Sequence, residues 1–403
     1  MILEFSVANF FSFKERVTFS MLANATEGLN DNFVLLNNKK ILKTAAIYGA
    51  NASGKSNLFK ILSLVILMLR NSSQNDINAK LPIVPFKLDS KTVDEPSEFE
   101  IKFVVEDIKY VYGFLADQNK IYEEYLYYYP NGRETKIFDR TNVDFYSFSQ
   151  KDEKVLKDIQ MKTSANKFFL STATNWNFEK TKKAYEFLTF GMGTCFNLEE
   201  LKNMSLNEYV RNDETLKQFA LEFLKKTDFS IEDFKVSKID LPAELLSKMP
   251  NTQAFQVLFK HKGSDVYLSF DEESIGTQMV FSFIPFISDS LHHKKVLIID
   301  ELDRSLHPFL VHYIVEMFND PDVNKSGSQL IFNTHDTNLL DLNILRRDQI
   351  WFTEKEQESG ISTLYCLADF SVRKSENVEK GYLLGRYGAV PFIKNDWNLW
   401  SEK

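Results

Sequence analysis

Cysteine is almost missing: Cys195 and Cys366 are the only two in 403 residues, and no metal-type spacing joins them. That excludes a disulfide framework or a cysteine-built metal site. It fits a reducing cytoplasm in which both thiols serve as buried apolar fillers. Long hydrophobic runs are absent too. The most apolar stretch, Ile61–Leu69, lies between Lys60 and Arg70 and falls far short of the roughly 20 residues that cross a bilayer. The opening MILEFSVANF carries Glu4 where a secretory leader would be basic. Basic charge is in deficit, with 48 Lys and Arg against 56 Asp and Glu, a net charge of −8. This argues against a broadly basic nucleic-acid coat and leaves a local basic patch open. No internal repeat, low-complexity tract or long heptad pattern is present.

What is present is ordinary soluble composition, 44% apolar and 26% charged, in a chain long enough for two or three units. Phenylalanine is abundant at 36 residues; its even spread predicts core and strand filling rather than stacking platforms. One stretch stands apart. Gly49–Ser56 reads GANASGKS and matches G-x-x-x-x-G-K-[ST] at every fixed position. Gly49 and Gly54 permit the tight turn that aims successive N–H groups at phosphate oxygens. Lys55 supplies a charge for the β- and γ-phosphates, and Ser56 a hydroxyl for Mg²⁺. Residues 44–48 predict a short buried strand before the loop, and Asn57 onward a helix whose N-terminus favours anions. The phosphate-binding set is therefore Gly49, Asn51, Ala52, Ser53, Gly54, Lys55, Ser56 and Asn57. The plain alternative, a glycine-rich turn before a core helix, is disfavoured by this strand–loop–helix setting.

Residues 2–9 and 16–22 alternate as two strands joined through Phe10–Phe13, either a sheet edge or a loop near the nucleotide base. Residues 24–40, rich in Asn, Gly and Asp, are expected as loop. Residues 98–105, 109–116 and 121–129 predict an antiparallel set in which the many tyrosines are strand residues. Helical spacing over 179–190, 198–210 and 214–226 marks 151–250 as a helical insertion, its exit bracketed by Pro242 and Pro250. The basic run Lys180, Lys182, Lys183 is expected on a solvated helix face.

A hairpin over 254–260 and 266–270 leads to ESIGTQ (273–278), which opens a helix, and then to Lys295–Glu301, an apolar strand ending in two carboxylates. At the C-terminal end of a parallel strand, Asp300 would hold Mg²⁺ or its water, and Glu301 would polarise an attacking water. Pro308 suits the start of the next helix. Strand 329–334 ends at His335, well placed to sense a γ-phosphate; the other five histidines are expected to be structural.

Phosphate loop, helical insertion, ESIGTQ, the Asp–Glu strand, LDRSLHP (302–308) and His335, in this order, resemble an ABC-type ATPase head of the structural-maintenance-of-chromosomes and Rad50 kind. FSVANFFSF (5–13), IFNTHDTNLLD (331–341), RRDQIWFTEK (346–355) and GRYGAVP (385–391) resemble more closely the stand-alone AAA15 or AbiLi/RloA-like ATPases of abortive infection and phage defence. The resemblance covers nearly the whole chain. It implies an α/β P-loop fold of ABC-head type: a mixed parallel sheet, an antiparallel β subdomain and the helical insertion. Residues 1–150 and 251–403 would form the two parts of the head. Two departures stand out. The usual LSGGQ signature is matched only at Ser274 and Gly276, with Ile275 in a glycine position. Neither a long coiled coil nor a DxD-bearing nuclease domain follows.

By that resemblance the chain is an ATPase using ATP and Mg²⁺. Two heads would enclose two nucleotides. Lys55, Ser56 and Asp300 would act in cis, while Ser274 and Gly276, with Asp303 of the D-loop, would act from the opposing copy. Glu301 would be the general base and His335 the γ-phosphate sensor. Implied partners are a second copy and a separately encoded effector, a nuclease or RloB-like protein. The alternative is a DNA-binding repair ATPase, which the missing coiled coil and basic surface disfavour. A kinase or GTPase has no place for ESIGTQ or His335.

Overall fold

The structure, a computed structural model, describes residues 1–25, 28–195, 198–211, 214–227, 230–239, 254–373 and 376–391. The expected exit of the insertion at Pro242 and Pro250 lies outside the described residues. The fold is mixed α/β, and the chain forms two compact units. One comprises residues 1, 30–44 and 186–336; the other comprises 2–29, 45–185 and 337–403.

The second of these carries the phosphate loop. Its largest element is a seven-stranded antiparallel sheet, ordered Phe145–Phe148, Thr135–Asn142, Ile121–Tyr129, Ile108–Ala116, Ser97–Val105, Ile2–Ala8, Val17–Ser20. Ser97–Val105 shows why these residues make a half-buried strand: Phe99, Ile101 and Phe103 are buried while Glu98, Glu100 and Lys102 alternate with them. The two N-terminal strands complete the same sheet, with Phe5 opposite both Phe19 and Ile101. Three tyrosine hydroxyls find carboxylate partners within it, while the buried Tyr146 hydroxyl makes no hydrogen bond among the described residues. Tyr112 donates to Glu124 at 3.1 Å, Tyr125 to Glu100 at 2.6 Å and Tyr127 to Asp139 at 2.6 Å. Lys180 and Lys183 pair with Asp152 and Glu106, as a solvated helix face would.

The strand Thr44–Tyr48, which belongs to this unit from Ala45 onward, pairs in parallel with Ile350–Lys355, Ala46 opposite Ile350 and Tyr48 opposite Phe352. Ile350–Lys355 in turn pairs antiparallel with Ser362–Cys366. All five residues of Thr44–Tyr48 are buried, as a parallel strand covered on both faces requires. Helix Lys55–Asn71 follows the loop and buries Leu58, Ile61, Leu62, Val65 and Leu69, one apolar stripe at helical spacing. The GRYGAVP segment closes against the unit's core. Tyr387 is buried, its ring stacked on Phe352 at 6.0 Å, and Arg386 pairs with Glu376 at 3.1 Å.

The other unit holds three parallel strands, Met192–Cys195, Val296–Ile299 and Gln329–Asn333, with Val296–Ile299 in the middle. All of Val296–Ile299 and Gln329–Asn333 is buried, so their C-terminal ends bring residues 300–301 and 333–335 to one edge. Helix Ile275–His293 is packed by Tyr209, whose ring stacks on Phe281 at 4.3 Å. Phe234, Phe259 and Phe270 surround the same ring. Many of the described phenylalanines fill the core in this way, while Phe145, Phe190 and Phe309 are exposed.

Two expectations need correcting. Residues 24–40 are not all loop: Phe33–Leu36 and Lys39–Leu42 form a hairpin. Asn37 (φ 49°) and Asn38 (φ 61°) make its two-residue turn in the left-handed region that asparagine tolerates. Nor is 151–250 wholly helical. The predicted helices are there as Glu179–Phe190, Leu198–Val210 and Glu214–Thr227, but Met192–Cys195 is a strand of the parallel sheet and Ile231–Ile239 an antiparallel strand. Four residues including Gly193 are too few for a readable alternation. Among the described residues, no helix is long and apolar enough to cross a membrane.

Candidate functional site

The phosphate loop is shaped by contacts that only glycine accepts at its two fixed positions. Gly54 has φ 119°, and a Cβ there would lie 2.7 Å from Ser362 Oγ and 3.2 Å from Ser12 Oγ. A Cβ at Gly49 would collide with the carbonyl of Thr353 and stand 2.6 Å from Ser53 Oγ. The loop is braced from behind. Ser53 Oγ meets Thr353 Oγ1 at 2.6 Å, and the Ser362 hydroxyl donates to the Ser53 carbonyl at 2.7 Å. Asn57 Nδ2 donates to Ser12 Oγ at 2.9 Å, which sets the Phe10–Phe13 turn against the start of the helix. Thr353 and Ser362 escape sequence reasoning because each is an ordinary strand residue far from the loop in the chain; Ser12 belongs to the Phe10–Phe13 segment, for which a place near the nucleotide base was one of two readings.

Lys55 is buried, and its ammonium donates to the carbonyls of Gly49 at 2.7 Å and Ala50 at 3.1 Å. Ser56 is half-buried at the first turn of the helix, and Asn51 and Ala52 form the exposed tip. A cleft of about 1170 Å³ opens beside that tip, its walls including Glu354, Lys355, Leu384 and Val390. The donors here are backbone N–H groups, one ammonium and one hydroxyl around a cradle that two Cβ atoms would fill. They fit the phosphates of a nucleotide.

In the other unit the remaining candidates cluster at the strand ends. Asp300 is tied to the sheet by its N–H, 2.9 Å from the Cys195 carbonyl. Glu301 has φ 56°, strained for a residue with a Cβ, and its N–H donates to Asn333 Oδ1 at 2.7 Å. The other end of the same amide, Nδ2, donates to Asp300 Oδ1. Asn333 was not singled out in the sequence; a polar residue ending a buried strand beside the carboxylates is the only signal for it.

The D-loop turns back at once. Leu302 is fully buried, and Ser305 is again left-handed at φ 60°. Asp303 Oδ2 accepts the His335 N–H at 3.1 Å, while Asp303 Oδ1 is buried without a hydrogen-bond partner. The His335 side chain is exposed. Ser274 caps helix Ile275–His293, its Oγ accepting from the Thr277 N–H at 3.1 Å, and Ile275 beside it is 60% exposed. A Cβ on Gly276 would stand 3.2 Å from the Ser305 carbonyl, so signature and D-loop pack against each other. This unit therefore gathers Asp300, Glu301, Asp303 and His335 at one edge, with Ser274 and Gly276 against the D-loop. The Asp300 carboxylate is the kind of oxygen donor that suits a hard divalent cation.

Both thiols, Cys195 and Cys366, are buried, and burial pushes each up to about 12. Neither is near a metal-ligand cluster, and among the described residues no group of three metal-ligating side chains forms.

Three solved structures illustrate what the chain is similar to. The SMC head domain from Thermotoga maritima is 12% identical, with a TM-score of 0.43 and coverage of 91% of this chain and 98% of that one. The Smc head domain with a coiled coil and joint from Pyrococcus yayanosii is 12% identical, with a TM-score of 0.46 and coverage of 96% and 99%. The Smc head domain with an extended coiled coil bound to the C-terminal domain of ScpA, from Pyrococcus furiosus, is 14% identical, with a TM-score of 0.41 and coverage of 96% and 98%. No curated protein matches the chain. A family model does, over residues 45–341, a span that holds the phosphate loop, Ser274, Asp300, Glu301 and His335. The chain belongs to the family described as "AAA domain, putative AbiEii toxin, Type IV TA system".

Proposed function

We propose that the chain is an ATP-hydrolysing switch of the ABC-head type, related to the AAA15 and AbiLi/RloA-like ATPases. It closes as a homodimer around ATP and Mg²⁺, opens on hydrolysis, and so controls a separately encoded effector in defence against phage. The observation that carries this reading is the packing of Gly276 on the Ser305 carbonyl. It joins an exposed serine at a helix N-terminus to the D-loop, so that one unit presents Ser274 and Asp303 together as a surface for a second copy's nucleotide. The family description, which names an AbiEii toxin and a toxin–antitoxin system, supports the defence setting.

In this mechanism the N–H groups of Gly49–Ser56 hold the phosphates and Lys55 moves from its carbonyl partners onto the β- and γ-oxygens. Ser56 and Asp300 would hold the metal, which when bound neutralises charge developing on the phosphates. Glu301 takes the proton of the attacking water. His335 contacts the γ-phosphate and reports its loss, and the chain's output is a change of assembly rather than a new chemical product.

The test is chromatographic and biological. ATP should convert purified monomer to dimer when hydrolysis is blocked, and protection against phage should require both this chain and an adjacent effector gene. A protein that stays monomeric with ATP bound contradicts the dimer. Protection without any neighbouring gene contradicts the effector.

A further inference from the structure

We infer that Asn333 is the positioning residue of the hydrolytic edge, a single buried side chain that sets both carboxylates ending the neighbouring strand. The inference rests on the reading of Asp300 as metal ligand and Glu301 as base. Asn333 ends the strand Gln329–Asn333 and is fully buried. Its Oδ1 accepts the Glu301 N–H at 2.7 Å, and its Nδ2 donates to Asp300 Oδ1. The Leu302 N–H donates to its backbone carbonyl at 3.1 Å. Three consecutive residues, 300 to 302, are thus bound to this one position.

The chemistry explains why the residue is asparagine. Glu301 sits at φ 56°, a conformation that must be held by its surroundings. The acceptor end of the amide holds it by the N–H, which leaves the Glu301 carboxylate for the reaction. The donor end orients Asp300. The asparagine amide donates and accepts from two separate atoms on one short neutral side chain, so both bonds can be made at once. Aspartate would keep the acceptor but set a second carboxylate against Asp300; leucine would fill the space and make neither bond. The backbone bond to Leu302 survives any substitution, so variants at 333 probe the side chain itself.

The experiment uses the full chain. Asn333→Leu and Asn333→Asp are compared with wild type, with Glu301→Gln and with the double variant Glu301→Gln/Asn333→Leu. Amide hydrogen exchange over 299–306 is measured without nucleotide, ATP affinity with a fluorescent analogue, and turnover against Mg²⁺ concentration. In Asn333→Leu, exchange at Glu301 should rise by about tenfold or more while exchange over 45–60 stays unchanged. ATP affinity should hold within about threefold and kcat should fall by about tenfold or more. Added to Glu301→Gln, the same change should cost clearly less than it does in wild type, because the part Asn333 exerts through Glu301 is already lost and only the part through Asp300 remains. Asn333→Asp should keep the Glu301 amide protected and shift the Mg²⁺ requirement. It also serves as the test should the leucine variant not fold. Unchanged exchange at Glu301 overturns the clamp, and a full additional loss on top of Glu301→Gln overturns its action through Glu301. If Glu301→Gln itself turns over like wild type, the general-base reading fails, while the exchange data still decide whether Asn333 holds the loop.

Discussion

The Lys55 ammonium lies 2.7 Å from the carbonyl oxygen of Gly49, folded back over the loop whose ligand it is expected to bind. The loop is thus closed on itself and braced by Ser362 and Thr353, and this predicts that its shape is fragile at Gly54. Gly54→Ala must hold φ 119° and push a methyl group to 2.7 Å from Ser362 Oγ. We expect a loss of stability of about 1–3 kcal/mol in urea unfolding, with ATP binding lost in calorimetry. A variant that binds ATP normally would show that the loop opens more freely than its contacts imply.

Glu301→Gln should keep nucleotide binding and slow hydrolysis by about a hundredfold or more, within the usual range for a lost general base. The amide cannot take the proton, and the Asn333 contact to the backbone N–H is untouched by the change. With ATP the variant should elute as a long-lived dimer. Wild-type turnover would remove Glu301 from the base role.

The antiparallel sheet supplies a pH prediction. Glu124 is fully buried, and burial pushes its carboxyl up to about 7 against the opposing pull of the Leu170 and Phe169 N–H groups and of Arg140. The folded protein therefore holds a proton there between about pH 4.5 and 7, where the unfolded chain releases it. Stability should fall as pH rises through that window and level off above it, by an amount on the order of 3 kcal/mol. Glu124→Gln should flatten this slope in urea titrations at pH 5, 6 and 7.5. An unchanged slope would assign it to other groups.

The sequence was most legible where a local pattern has one physical meaning. GANASGKS, the apolar strand closing on Asp300–Glu301 and the helical periods of 179–190, 198–210 and 214–226 each carry their reason within a few residues. The start of a helix at ESIGTQ was legible in the same way, though not the cap that Ser274 makes there. What stayed hidden depends on distant pairings. Phe5 faces Ile101 across nearly a hundred residues, Ser53 meets Thr353, and Asn333 reaches Glu301. The Asn37–Asn38 hairpin was hidden for a different reason, since asparagine marks loops and left-handed turns alike.

The measurement that bears most directly on the shared-site mechanism is a mixture of two inactive variants. Lys55→Ala removes the charge on the β- and γ-phosphates of its own loop, while Ser274→Arg leaves the loop intact and puts a bulky cation on the surface meant for the opposing nucleotide. A mixed dimer should regain one complete site, formed by the loop of the Ser274→Arg chain and the Ser274 of the Lys55→Ala chain. After subunit exchange, hydrolysis should recover to at most about a quarter of wild type, given random pairing and independent sites. Verified mixed dimers that hydrolyse nothing, together with a Ser274→Arg protein active by itself, would contradict the account.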